Sequence, residues 1–474
     1  MAMQYVSTRG EAKSLEFADV LLEGLASDGG LYVPASWPQF TAEQVASWRD
    51  ADYATVAKHV MRPFIEGSID LDDFNQIVDE VYAKPRSGGA PTPFMHQGIA
   101  PLKQLDEKVW FLELFHGPTL AFKDYALQLV GRMFDYVLNK RGKRLTIVGA
   151  TSGDTGSAAI AAVAGLPAVD IFILHPKGRV SPIQQRQMTS VMDSNVFNIA
   201  MTGTFDDCQD RVKDMFNDAE FRHEVSLGAV NSINWCRVMA QIAYYAYAAA
   251  KLSAPGRPVD FAVPTGNYGN VLAAYAAKRM GLPIGKLGVG SNRNDILTRF
   301  LEDGDMSIQG VEPSLAPSMD IQVSSNFERY LFEVMDRDGK ALAGVMKDFR
   351  ASGTMTLGQG VLAACQNDFF GYRLDDAGIL AETKRLLDET GGLIDPHSVV
   401  AVSQAQKDQR FENPVVAVGT AHPAKFPAAV EQATGVYPAL PAFLSDLMDR
   451  DERLVDMPND LAALQDYVRQ HRSQ

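Results

Sequence analysis

Cysteine is scarce in this sequence. Its 474 residues include three, Cys208, Cys236 and Cys365, too few and too scattered for a disulfide framework. No CxxC pair is present to suggest a structural zinc site, so a reducing compartment is expected. Positive charge is also short. There are 44 Lys and Arg against 58 Asp and Glu, a net charge of −14. An electrostatic nucleic-acid binder carries a basic surplus, so that class is disfavoured beyond a local patch. Long apolar runs are missing as well. The longest, Met239 to Leu252, includes Gln241 and Lys251. It falls short of the ~18–20 residues a membrane span needs and reads as a buried helix. The opening MAMQYVSTRGEAK has no apolar core segment, so no secretory signal is expected. Apolar residues at 46% and charged residues at 22% exclude a disordered chain. The length suggests two or three domains of roughly 100–200 residues. A soluble, cytoplasmic protein is expected.

Several catalytic signatures are absent. GxxxxGK[ST] does not occur. Gly149, Gly153 and Gly156 are not spaced as GxGxxG, and no acidic residue ends the strand at Leu174. A P-loop enzyme and a dinucleotide-binding dehydrogenase are therefore disfavoured. HExxH, GxSxG and the kinase motifs are missing too. The eight histidines are dispersed, so no metal site is expected.

What the sequence does contain is a recurring strand–turn–helix texture. Residues 1–100 read as a mostly helical, acidic region, with AEQVASWRDADYATVAKHVMRPFI at helical spacing. The Pro/Gly-rich stretch Pro85 to Pro93 marks a boundary. Beyond it, RLTIVGA (144–150) leads through TSGDTG into an Ala-rich helix and the strand AVDIFIL (168–174). This is a βαβ unit and implies a parallel sheet. DFAVP (260–264), TGNYGN, a helix and KLGVG (286–290) repeat the pattern, and PVVAVG (414–419) leads into TAHPAKF. Three turns bearing glycine or hydroxyl groups thus follow strands, where open α/β sheets bind ligands. Residues 300–412 cannot be ordered from pattern alone.

A glycine turn entering a helix presents N–H groups at the positive end of the helix dipole, which suits a phosphate. In GNYGN, Gly266 and Gly269 allow close backbone approach, and Asn267 and Asn270 add amide donors. TSGDTG adds the hydroxyls of Thr151, Ser152 and Thr155. Tight turns need glycine anyway, and Ser and Asp cap helices, so both readings stand. Lys123, in HGPTLAFKDYALQ, follows apolar residues and a turn. A lysine there is either a helix-start charge or a desolvated amine suited to Schiff-base chemistry. Together with two anion-suited turns, it points to pyridoxal phosphate.

These residues resemble the threonine synthase family, of the longer bacterial and fungal type. The resemblance runs nearly end to end, through QYVSTRG, DGGLYVP, HGPTLAFKDYALQ, GATSGDTGSAA, HPKGRVSPIQQRQM, SINWCRVMAQIAYY, PTGNYGN, SMDIQVSSNFER, IDPHSVVAV and GTAHPAKFP. It implies the pyridoxal-phosphate fold type II (tryptophan synthase β-like), with two parallel-sheet α/β lobes plus the N-terminal mostly helical region. The implied bounds are 1–100 for that region, 101–135 with 231–474 for a large cofactor-binding domain carrying an insertion at about 300–412, and 136–230 for a small substrate domain. It implies conversion of O-phospho-L-homoserine and water to L-threonine and phosphate, a carbon–oxygen lyase reaction. In this comparison Lys123 carries the cofactor. Gly266, Asn267, Tyr268, Gly269 and Asn270 cup its phosphate, with Tyr268 where the family more often has Phe. Thr420 faces the pyridine nitrogen, and Ser152, Asp154 and Thr155, next to Thr151, grip the substrate carboxylate.

An acidic chain must place its substrate-phosphate cations locally. Lys177, Arg179 and Arg186 are candidates, with a solvated loop as the other reading. Arg237 and Arg329 are alternatives with either salt-bridge or substrate roles. Asn294 and Asp295 sit in a matched motif that is also a turn and helix cap. His116 and His422 read as satisfied structural histidines. Asp124 reads as a cap or a neighbour's partner. The N-terminal region and the insertion cover surface that shorter relatives of the fold use for dimers, which favours a monomer.

Overall fold

The computed structural model describes residues 2–83, 92–228, 231–254 and 257–473. Its contacts divide the chain into two compact units. The larger comprises Met1–Val20, Leu25–His116 and Ser232–Pro438, the smaller Leu21–Gly24, Gly117–Asn231 and Ala439–Gln474.

Strands buried on both faces read as continuous apolar runs, and VDFAVP (Val259–Pro264) and VVAVG (Val415–Gly419) are buried at every position. They occupy the middle of the larger unit's six-stranded sheet. Its order is Phe369–Arg373, Ile284–Ser291, Val259–Pro264, Val415–Gly419, Val109–Glu113, Leu102–Gln104. Neighbours pair in parallel except the last two strands. The helix Trp235–Leu252 is buried along nearly its whole length, as Met239 to Leu252 was read. No helix among the described residues is long and apolar enough to cross a membrane.

The 300–412 region proves to be part of this sheet. It supplies the edge strand Phe369–Arg373 and the helix Pro396–Lys407, whose Val399, Ala401 and Val402 share a core with Ala262, Val415 and Ala417. Sequence pattern left it unordered because FFGYR is short and pairs with a strand far upstream. The N-terminal residues form a three-stranded antiparallel sheet, Leu15–Glu16, Gln4–Ser7 and Tyr32–Pro34, together with helices. The long periodic stretch there is two helices, Ala42–Ser47 and Tyr53–Ile65. The first ends at its C-cap Trp48, and Asp52 caps the second by accepting from the N–H of Thr55. The break at Pro85 to Pro93 lies outside the described residues apart from its last two.

The smaller unit holds a five-stranded sheet, ordered Val455–Met457, Val196–Met201, Val169–Pro176, Leu145–Ala150, Leu227–Gly228, parallel throughout. The βαβ unit read from TSGDTG is here, with Leu145 opposite Val169 and Ala150 opposite Leu174. Three segments fall differently from the expected bounds, the first being the described part of residues 1–100, which apart from Leu21–Gly24 groups with the larger unit. The helix Lys123–Arg141 belongs to the smaller unit, because Gly131 lets its backbone meet the helix Asp154–Val163. A Cβ at Gly131 would lie 2.1 Å from the carbonyl oxygen of Ala162. The C-terminal tail also belongs here. Its strand Val455–Met457 extends the sheet, and Leu464 and Val468 join a core with Phe172, Cys208 and Met215.

Candidate functional site

In the smaller unit, a tight turn delivers Lys123 as the first residue of its helix. Leu120 takes a left-handed φ of 63°, an uncommon conformation for a residue with a branched side chain. Asp124 clasps the turn. Its Oδ2 accepts from the Thr119 N–H at 2.8 Å and its Oδ1 from the Thr119 hydroxyl at 2.6 Å. It therefore partners a neighbour and does not cap the helix. Lys123 Nζ lies 3.0 Å from Asp154 Oδ2, and Asp154 Oδ1 accepts from Gln184 Nε2 at 2.8 Å. Both side chains of the pair are about one-tenth exposed (11% and 9%). The apolar approach in sequence thus ends at a carboxylate partner.

The TSGDTG turn is largely self-bonded. Thr151 Oγ1 accepts from the N–H groups of Gly153 and Gly156, both at 2.9 Å. Gly153 takes a φ of 141°, and a Cβ there would meet the Gln184 side chain at 2.5 Å. Asp154 opens the helix and is committed to Lys123 and Gln184. Of the four candidates, the exposed Ser152 and half-buried Thr155 keep side chains for a ligand, beside the first-turn N–H groups of the helix.

In the larger unit, GNYGN joins Val259–Pro264 to the helix Gly269–Arg279. The N–H groups of Asn267, Tyr268, Gly269 and Asn270 make no hydrogen bond among the described residues. The carbonyls are instead occupied. Ser324 Oγ donates to Gly266 O at 2.7 Å, and Asn326 donates to Asn267 O through its N–H at 3.1 Å and Nδ2 at 2.9 Å. A Cβ on Gly266 would lie 2.6 Å from the Ser318 carbonyl oxygen. Tyr268 has a φ of 62° and packs edge-on against Phe327 and Phe369, at centroid distances of 5.2 and 5.5 Å. Its hydroxyl is buried without a partner. Asn270 Oδ1 accepts from the hydroxyls of Tyr244 and Tyr245, at 2.5 and 2.8 Å. Its Nδ2 is buried and unpartnered. The turn is therefore a nest of donors at a helix start, the electrostatic form of an anion site.

Thr420 follows Val415–Gly419. Its N–H donates to Ser398 Oγ at 2.9 Å, and its hydroxyl makes no hydrogen bond among the described residues. His422 caps a short helix, its Nδ1 accepting from the Ala424 N–H at 3.1 Å. Burial, reinforced by nearby His116, pulls His422 down to about 4. His116 Nε2 pairs with Glu113 Oε2 at 2.8 Å. Both have the structural roles expected of them.

The cation candidates separate by their partners. Lys177 is exposed and pairs with Asp456 at 2.6 Å; Arg186 pairs with Glu452 at 3.1 Å and with the Arg450 carbonyl. Arg179 is exposed. Arg329 is fully buried, donating to the carbonyls of Tyr32 and Ile233 and to Asn326 Oδ1. Asn294 bonds Asn292, Glu312 and Asp320, and Asp295 pairs with Arg299 and Arg373. Arg237 alone in this set is both buried, at 4% exposure, and without an acceptor for its Nε and Nη1. Burial lowers it to about 10. It lies in the first turn of Trp235–Leu252, where the helix dipole adds to its attraction for anions.

Sequence reasoning missed Gln184, Ser324, Asn326, Tyr244 and Tyr245. All five lie in stretches the family comparison matched. None carried a chemical cue, because amides, hydroxyls and phenols acquire these roles only through the atoms they face.

The chain matches the family models "Threonine synthase N terminus" over residues 4–82, "Pyridoxal-phosphate dependent enzyme" over 86–360 and "Threonine synthase, C-terminal" over 398–468. It is 51% identical to threonine synthase of Pseudomonas aeruginosa, over 99% of this chain and 98% of that one. With threonine synthase of Schizosaccharomyces pombe it shares 41% identity, over 92% and 90%. Among solved structures it resembles pyridoxal-phosphate-bound threonine synthase from Brucella melitensis, with a TM-score of 0.95 and 52% identity over 99% of each chain. Threonine synthase from yeast superposes with a TM-score of 0.91 at 36% identity, over 99% and 98%.

Proposed function

This chain belongs to the threonine synthase family of pyridoxal-phosphate-dependent enzymes, and from that membership we propose that it converts O-phospho-L-homoserine and water to L-threonine and phosphate, with the roles below. The observation that carries the substrate assignment is Arg237. An acidic chain that leaves Nε and Nη1 of a buried guanidinium without acceptors retains it at a cost unless an anion arrives. The cup at 266–270 serves the cofactor's phosphate, so Arg237 answers to a second anion, the phosphate of the substrate. A dehydratase acting on serine or threonine has no use for that second site.

The residues fit the cofactor. Free N–H groups at 267–270, carbonyls turned aside, and the open Asn270 Nδ2 suit a phosphate dianion. Pyridoxal phosphate, when bound, supplies an aldehyde that condenses with an amine and a ring that draws electron density from Cα. Lys123 is the amine, and its Nζ moves the protons at Cα and Cβ of the substrate. Asp154, 3.0 Å away, orients that side chain. A carboxylate would repel the substrate's own, so we assign Asp154 to Lys123 and leave the carboxylate grip to Ser152, Thr155 and the helix N-terminus. Thr420 offers the ring nitrogen a neutral hydroxyl, which restrains the ring's electron withdrawal compared with an Asp partner. Arg237 stabilises the charge growing on the leaving phosphate. Lys177 and Arg186, held by Asp456 and Glu452, are better suited to holding the smaller unit's C-terminal segment.

The deciding assay gives the holoenzyme O-phospho-L-homoserine and measures phosphate and threonine together. Equal amounts are expected. Phosphate with a keto acid in place of threonine would replace the synthase reading by a lyase that ends at elimination. Gly266→Ala is expected to weaken cofactor binding roughly tenfold or more, because the loop must yield to a contact of 2.6 Å. Titration of the apoprotein with pyridoxal phosphate checks this.

A cytoplasmic location fits three cysteines that are all free and buried. A monomer is the assembly we assign, and light scattering coupled to size exclusion tests it. A mass of twice the chain would overturn it.

A further inference from the structure

The cup at 266–270 does not shape itself. In a trans peptide, a carbonyl and the following N–H point in opposite directions. Fixing Gly266 O therefore fixes the N–H of Asn267, and fixing Asn267 O fixes the N–H of Tyr268. Both carbonyls are held by one segment, SSNFER. Ser324 Oγ reaches Gly266 O at 2.7 Å, and Asn326 reaches Asn267 O twice, at 3.1 and 2.9 Å. The same segment supplies Phe327, against which the Tyr268 ring packs. Tyr268 needs that support, since a left-handed φ of 62° is a strained conformation for a non-glycine residue.

Asn326 also reaches further. Its Nδ2 donates to Ser232 O at 3.0 Å, and its Oδ1 accepts from Arg329. Ser232 leads into the helix that carries Arg237, whose start is capped by Asn234. One amide thus ties the cup to the loop before Arg237.

We propose that Ser324 and Asn326 are positioning residues that preform the cofactor-phosphate cup, with Asn326 also tying it to the loop that sets Arg237. The proposal rests on the reading of GNYGN as that cup. In this scheme Ser324 and Asn326 touch no ligand. They decide which way two peptide planes face, so their effect passes entirely through the phosphate group.

The test compares pyridoxal phosphate with pyridoxal, which condenses with Lys123 but has no phosphate. Affinities for both are measured by the visible absorbance of wild type, Ser324→Ala and Asn326→Asp. The latter keeps the acceptor for Arg329. Ser324→Ala is expected to lose about five- to tenfold in affinity for pyridoxal phosphate, the worth of one hydrogen bond, and nothing for pyridoxal. The 31P resonance of the bound cofactor should move. Asn326→Asp should also raise KM for O-phospho-L-homoserine, through Ser232. Unchanged affinity for pyridoxal phosphate in Ser324→Ala, or equal loss for both compounds, would overturn the proposal. Melting temperature of the apoprotein identifies general unfolding, which predicts the equal loss. A wild type that binds both compounds alike would locate the failure in the cup reading itself and remove the proposal with it.

Discussion

Lys123→Ala is expected to lower turnover of O-phospho-L-homoserine by at least about 10³-fold, the combined effect of losing a nucleophilic amine and a proton-transfer group. The visible absorbance of the covalently held cofactor should vanish with it. A second consequence follows from the pair with Asp154. The two groups lie 3.0 Å apart with little exposure, and removing one partner of such a pair costs about 3 kcal/mol. Lys123→Ala should therefore also lower the denaturant midpoint. Lys123→Ala combined with Asp154→Asn separates the two effects. The double variant should regain stability, since no carboxylate is left without its cation, and should remain inactive. Full activity in Lys123→Ala would refute its assignment. A double variant no more stable than the single one would show that the ion pair contributes little to the fold.

Arg237→Met is expected to move activity and stability in opposite directions. The substrate's phosphate loses a buried cation, and truncating one side of such a charge-assisted contact costs about 2–5 kcal/mol. The ratio kcat/KM for O-phospho-L-homoserine should fall by roughly 10²-fold or more, mostly through KM. Inhibition by inorganic phosphate should weaken in parallel. Without ligand, however, the wild-type guanidinium is buried with Nε and Nη1 unsatisfied. Exchanging it for an apolar side chain of similar length removes that cost, so the melting temperature should hold or rise. Most buried residues lose stability when replaced, which makes this sign a sensitive check. Unchanged KM would exclude Arg237 as the phosphate ligand. A large drop in melting temperature would mean that the fold itself uses the charge.

The two predictions differ in how far the sequence supports them. The turn and helix start that present Lys123 were legible because they and the two strand–glycine–helix units lie in short continuous stretches. Parallel strands such as VDFAVP and VVAVG were legible for the same reason, since burial on both faces leaves an apolar run. The strand FFGYR was not, because a short edge strand acquires its identity from a partner some eighty positions upstream.

The cations show the limit most clearly. Lys177, Arg186, Arg237 and Arg329 are alike as sequence, each a positive charge within a matched motif. Asp456 and Glu452 lie far along the chain from Lys177 and Arg186, yet folding brings them to 2.6 and 3.1 Å. Arg329 finds acceptors in two distant segments, at Tyr32 and Ile233, and a third three residues away at Asn326. Arg237 finds none for two of its nitrogens. The sequence by itself determined the fold class and the donor-rich turns, because local spacing sets backbone geometry and burial pattern. Only the tertiary structure decided which buried cation keeps nitrogens without acceptors and which side chains hold the carbonyls of Gly266 and Asn267. Both depend on long-range neighbours, and a buried charge or a peptide plane has no function until the groups facing it are known.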